Sequence, residues 1–251
     1  MTDSIPKIID TSAAVAELVE LVELLENVPN NPPSLYIDLE GINLSRHGSI
    51  SIMQIFLLPE NEIYLIDIHT LSHQAFTHPS ASGKTLKHIL EDTTIQKAFF
   101  DVRNDSDALY AHYSIRLAGI QDIQLLELAT RSGPRRFING LARCIERDAG
   151  LSLSETRKWQ DGKESGRGLF APERGGSYEV FNARPLCEAL VEYCAQDVRI
   201  LPRLWAIYDA KLGWRWKEKI EVAIRDRIDV CFQVGYTGVG RDMAKAPKGW
   251  A

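Results

Sequence analysis

No apolar run approaches the roughly 18 residues needed to cross a bilayer. Met1-Thr2-Asp3-Ser4 also lacks the basic and apolar stretches of a secretory signal. These absences predict an intracellular protein, cytoplasmic or nuclear, not secreted and without a membrane partner. Cysteine is scarce: Cys144, Cys187, Cys194 and Cys231 are widely spaced, with no two-residue gap of a zinc knuckle or redox dithiol. They read as reduced core thiols. A Walker-type phosphate loop and a nucleophile elbow are both missing. Gly166-Arg167-Gly168-Leu169-Phe170-Ala171 loosely matches a dinucleotide fingerprint, but no apolar strand leads into it and Pro172 follows at once. There is no internal repeat.

What is present is the balance of one globular unit: 251 residues, 45% hydrophobic and 25% charged. The net charge of −5 is unevenly spread, because residues 1–30 hold one Lys against six acids and residues 31–251 balance. Within that body, 131–174 carry ten basic residues against six acids and 211–251 carry nine against five. Two locally basic regions on a neutral chain suit phosphate contacts.

Periodicity predicts an acidic amphipathic helix from Thr11 to Asn27, stopped by the Pro-Asn-Asn-Pro-Pro run. Strands are predicted at Leu35-Tyr36-Ile37, Ser49 to Leu58 and Glu62 to Ile68, the last two joined as a hairpin across Pro59-Glu60-Asn61. A helix at 83–92, a strand from Lys97 to Asp101, a helix from Asp105 to Tyr113 and a short strand from Gly119 to Ile123 follow. Helices are then predicted at Leu125 to Thr130, Ile138 to Asp148 and Pro185 to Lys211, with an extended loop over the Gly-, Arg- and Lys-rich stretch 154–183. Strands first and helices later argue for a mixed α/β sheet covered by helices.

Three segments hold acids in unusual places. In Tyr36-Ile37-Asp38-Leu39-Glu40 the strand period puts Asp38 and Glu40 on one face, where they repel unless a cation lies between them; a solvated strand end explains the pair equally well. In Asp101-Val102-Arg103-Asn104-Asp105-Ser106-Asp107, a strand runs into a helix, so Asp105 or Ser106 is also a candidate N-cap. Tyr193 and Asp197, four apart on a helix, are adjacent on its surface beside an apolar stripe.

The ordered set Asp38-x-Glu40, Asp105 followed four residues later by Leu109, and Tyr193-x-x-x-Asp197 resembles the motifs of the DEDDy, RNase D-like exonucleases of the DnaQ-like, ribonuclease H-like superfamily. Ser51-Ile52-Met53-Gln54-Ile55, Gln121-Asp122 and Ala183-Arg184-Pro185-Leu186 add to it, and 101–106 looks most like the Egalitarian-type branch. Relatives often carry His where this chain has Asp101.

The resemblance implies a five-to-six-stranded mixed sheet, an acidic segment at 1–33, a 3'-5' exonuclease domain at 34–210, and a basic helix and tail at 211–251 in the same globule. It further implies two Mg²⁺ or Mn²⁺ ions: Asp38 bridging them, Glu40 and Asp197 completing the ion that activates water, Asp105 holding the second, and Tyr193 orienting the water. A single-stranded nucleic acid, RNA ahead of DNA, is the expected substrate and partner, yielding nucleoside 5'-monophosphates. Leu39, Gly41, Arg103, Asn104, Arg135, Arg136 and Arg184 are the candidate substrate contacts. Arg131, Arg157, Lys158, Lys163, Arg167 and Arg174 are further phosphate candidates, with Trp159 or Phe170 for base stacking. The competing expectation is a non-hydrolytic RNA-binding adaptor on the same fold.

Overall fold

The computed structural model describes residues 4–25 and 31–250. Six strands form one sheet: Lys7–Ile9 (β1), Leu35–Glu40 (β2), Ile52–Leu57 (β3), Glu62–Asp67 (β4), Lys97–Phe99 (β5) and Ile120–Asp122 (β6). Their order is β1-β4-β3-β2-β5-β6. The β2–β3 and β3–β4 pairs are antiparallel, and the β1–β4, β2–β5 and β5–β6 pairs are parallel. The expected hairpin, β3 to β4, is present. β1 was not expected, because three residues are too few to show a period.

Alternation along the central strand builds two cores. Leu35, Ile37 and Leu39 join Met53, Ile55 and Phe99 on one face. Helices Ser12–Glu23 (α1), Ile68–Leu71 (α2), Gln74–Thr77 (α3), Leu86–Glu91 (α4) and Arg103–Tyr113 (α5) supply that layer. The other face carries Tyr36, Ile52 and Phe56 under helices Ile123–Thr130 (α6), Leu141–Asp148 (α7), Leu153–Phe170 (α8), Glu188–Asp209 (α9) and Trp214–Val230 (α10). Helix α1 starts where Thr11 accepts from the Ala14 amide; Glu26 and Asn27, the expected end of this helix, lie outside the described residues. Among the described residues no helix is long and apolar enough to cross a membrane.

The largest departure from expectation is α8. The stretch 154–183, expected as loop, is helical as far as Phe170 and continues through 3₁₀ turns at Pro172–Arg174 and Tyr178–Asn182. Its N-terminus is a capping box: Ser152 accepts from the Glu155 amide, and the Glu155 carboxylate accepts from the Ser152 amide at 2.8 Å. Helix α8 has no apolar stripe because it docks through glycines. A Cβ on Gly162 would meet Gln196 Oε1 at 2.4 Å, and one on Gly166 would meet Tyr193 Cδ2 at 2.2 Å. Three cysteines are buried, but Cys187 is exposed, contrary to its expected place in the core.

Candidate active site

Parity along β2 places the first two acids. The side of the strand that carries Tyr36 also carries Asp38 and Glu40, and α9 packs over it. Tyr193 and Asp197 lie on the inner side of α9, both buried, at 8% exposure each. Helix α5 begins at Arg103, so Asp105 lies in its first turn and is not its N-cap; it is buried and points to the same pocket, where burial and then Asp38 raise its pKa.

Charge in this pocket is costly. Burial first, then the neighbouring Asp197, pushes Asp38 up to about 7. Burial and Asp38 hold Glu40 well above the carboxylate range, and burial with Asp38 and Asp101 does the same to Asp105. Burial raises Asp197 against the opposing pull of Lys163. The Tyr193 hydroxyl hydrogen-bonds to Glu40. Burial, followed by Glu40 and Asp197, keeps that phenol protonated far above its ordinary range, which makes it a donor rather than a base.

These raised values give a signed expectation. A carboxylate whose folded pKa exceeds its unfolded value favours folding while both states are protonated, and that contribution is lost as pH rises through the folded pKa. Asp67 and Asp101 work the other way. Burial opposes their ionisation but Arg184, and Arg103 with Arg227, outweigh it, so their contribution is lost on acidification. The raised acids dominate between about pH 4 and pH 8. With chelator present, the melting temperature should fall across that interval, and Mn²⁺ should restore most of the loss at the alkaline end. A flat or rising melting curve in chelator would refute the clustering.

The neighbouring acids separate cleanly. Asp101 accepts two hydrogen bonds from Arg103, at 2.6 and 2.5 Å, and lies 3.4 Å from Arg227. Asp107 accepts from the Arg46 amide and guanidinium, each at 2.8 Å. Asp105 keeps Oδ1 without a partner, as does Asp197. Two buried, unpartnered carboxylate oxygens and an all-oxygen donor set fit a hard divalent cation. Among the described residues, however, no three acid, His or Cys side chains already stand as a closed metal cage.

Several expected substrate contacts are occupied internally. Arg184 grips Asp67 through two 2.5 Å hydrogen bonds and also donates to the Phe181 and Ala183 carbonyls, so it anchors the segment before α9. Arg103 is held by Asp101 and the Met243 carbonyl. Arg135 donates to the Leu128, Ala129 and Arg131 carbonyls and stacks on Trp216. Leu39 faces the opposite core, and Gly41 is needed because a Cβ there would lie 2.1 Å from the Ser49 carbonyl oxygen. Asn104 lies under the tail, its Oδ1 2.5 Å from where a Cβ on Gly238 would project. Arg136 remains exposed, against Phe137. Phe170 packs edge-on against Tyr193 at 5.0 Å and lines the same groove as Lys163 and Asp197. The residue whose contact sequence reasoning missed is Lys163. Its ammonium donates to Asp197 Oδ2 and lies 4.3 Å from the Tyr193 ring centroid.

The six-stranded mixed sheet flanked by helices matches the RNase D-like exonuclease fold. The family model described as 3'-5' exonuclease matches residues 6–212, and the chain belongs to that family of nuclease hydrolases. Trypanosoma brucei RNase D in complex with RNA U12 is 20% identical, with a TM-score of 0.72 over 98% of this chain and 77% of that one. The same enzyme with GMP is 21% identical, with a TM-score of 0.74 over 98% and 70%. Escherichia coli RNase D, an exoribonuclease involved in structured RNA processing, is 22% identical, with a TM-score of 0.59 over 91% and 51%. A comparison with curated proteins finds no match.

Proposed function

We propose that the chain is a metal-dependent 3'-5' exonuclease that shortens single-stranded nucleic acid, RNA ahead of DNA, and releases nucleoside 5'-monophosphates. The observation that carries this reading is the convergence of Asp38, Glu40, Asp105 and Asp197 with Tyr193 in one buried pocket, where the acids raise one another's pKa. The preference for RNA draws on the solved T. brucei RNase D complex with RNA.

Asp38, with Glu40 and Asp197 on one side and Asp105 on the other, would hold Mg²⁺ or Mn²⁺, which when bound would supply the charge that makes water nucleophilic and steadies the leaving oxygen. The chain's own contribution is positional. Parity along β2 holds Asp38 and Glu40 toward α9, and the Asp101–Arg103–Arg227 contacts leave Asp105 the free acid of its segment. Tyr193, protonated at every working pH, keeps its hydroxyl beside Glu40, the place from which it would orient the attacking water. Arg136, exposed at the rim of the 131–138 segment, is available to meet backbone phosphate.

The test is digestion of a labelled single-stranded RNA and its DNA counterpart with Mg²⁺ or Mn²⁺ and with chelator. Mononucleotide release from the 3' end, abolished by chelator, is expected. No hydrolysis of either polymer with either ion would transfer the chain to the adaptor class. Tyr193→Phe removes one hydrogen bond to a charged group, about 1.5–3 kcal/mol, or roughly ten- to a hundred-fold in rate. Single-turnover assays should therefore place it between wild type and Asp38→Asn; a loss equal to that of Asp38→Asn would deny it a purely positional role.

A further inference from the structure

Lys163 does more than fasten one helix to another. On the described residues, it is the cation whose field favours ionisation of Asp38, Glu40 and Asp197 together. Its place is set by close packing of the two helices: it lies between Gly162, where a Cβ would press on the Gln196 side chain, and Gly166, where a Cβ would collide with the Tyr193 ring and its Cβ. Larger residues there would lift the ammonium off Asp197. Beyond it opens a groove of about 610 Å³, whose lining includes Glu146, Glu164, Arg167, Tyr193 and Asp197. The ammonium is only partly enclosed, with the side chain 18% exposed, so it has somewhere to go.

We propose that Lys163 is a resident place-holder for the divalent cation, neutralising Asp197 in the metal-free protein and leaving it for the groove when an ion enters. The proposal rests on the reading of the pocket as a metal-dependent nuclease centre. Metal uptake is then an exchange of cations at Asp197, whose Oδ2 already accepts from the Lys163 ammonium. An ammonium and a divalent ion on one carboxylate repel strongly inside a protein. The unpartnered oxygens of Asp197 and Asp105 give the arriving ion a foothold before the ammonium departs.

The experiment is a titration of the full chain with Mn²⁺, without nucleic acid, following free Mn²⁺ by electron paramagnetic resonance. Lys163→Met should bind Mn²⁺ about ten-fold more tightly than wild type, whereas Lys163→Arg, which keeps the competing charge, should stay close to it. Unchanged or weaker binding by a folded Lys163→Met protein overturns the proposal. A second measurement needs no variant: the hydrogen-bonded ammonium of Lys163, visible by lysine ¹H–¹⁵N NMR in chelator, should change its signal when Mg²⁺ saturates the protein. Persistence of the metal-free signal also overturns it. Asp38→Asn separates the two levels. If it binds Mn²⁺ as wild type does, the metal-centre reading fails; if it loses affinity while Lys163→Met matches wild type, only the place-holder fails.

Discussion

Asp38→Asn should abolish hydrolysis, with a loss of at least roughly 10²-fold, while leaving the fold intact. The side chains are nearly isosteric, so packing between β2 and α9 is preserved. What disappears is a negative charge at the centre of the pocket, within the field of Asp197, Glu40 and Asp105. The same reasoning makes the stability forecast opposite in sign to that for a buried ion pair. Asp38 is buried and repelled, its pKa pushed up to about 7, so deleting its charge relieves the metal-free protein. At pH 8 in chelator, the variant should melt no lower than wild type. Turnover of a 3'-labelled oligonucleotide and a melting curve check both halves. Wild-type turnover would end the assignment of Asp38, and a large fall in melting temperature would show that the residue serves the fold instead.

Arg227→Ala should produce the largest loss of stability, about 3–5 kcal/mol, the cost of stripping a buried charge pair of one partner. Arg227, on α10, is 6% exposed. Its guanidinium donates to Asp122 at 2.6 Å and Gln124 at 2.8 Å. Asp122 is fully buried and also accepts from the amides of Asp101 and Val102, both at 3.2 Å, where β5 turns toward α5. Removing Arg227 therefore loosens the turn that leads to Asp105 and detaches α10 from the sheet. Denaturant unfolding at pH 7 measures the effect, and Arg227→Met, which restores the aliphatic volume without the charge, should recover little of it. A loss below about 1 kcal/mol would mean that Asp122 is satisfied by backbone amides alone.

Much of the site was legible before any coordinates. Alternation placed Asp38 and Glu40 on one face, and the i, i+4 spacing placed Tyr193 beside Asp197. Asp105 entered the set through its match, with Leu109, to the family motif, but only the Arg46–Asp107 and Arg103–Asp101 pairs show why the neighbouring acids are not free. Which partner each arginine meets was not legible, because a guanidinium's five donors serve internal carbonyls and acids, as at Arg135 and Arg184, as readily as phosphate. Helix α8 escaped notice because a helix docking through glycines has no apolar period. Its one local signal, Ser152-Leu153-Ser154-Glu155, was the capping box.

Local pattern, then, was enough for most of the elements and for the inward faces of β2 and α9, because periodicity and spacing act over a few residues, whereas the membership of the acidic set rested on the resemblance to RNase D-like motifs. The tertiary structure alone decided which charges meet. Whether an acid faces another acid, an arginine or the ammonium of Lys163 depends on how α8, α9 and α10 cross the sheet, and burial there turns ordinary side chains into costly or tightly paired ones.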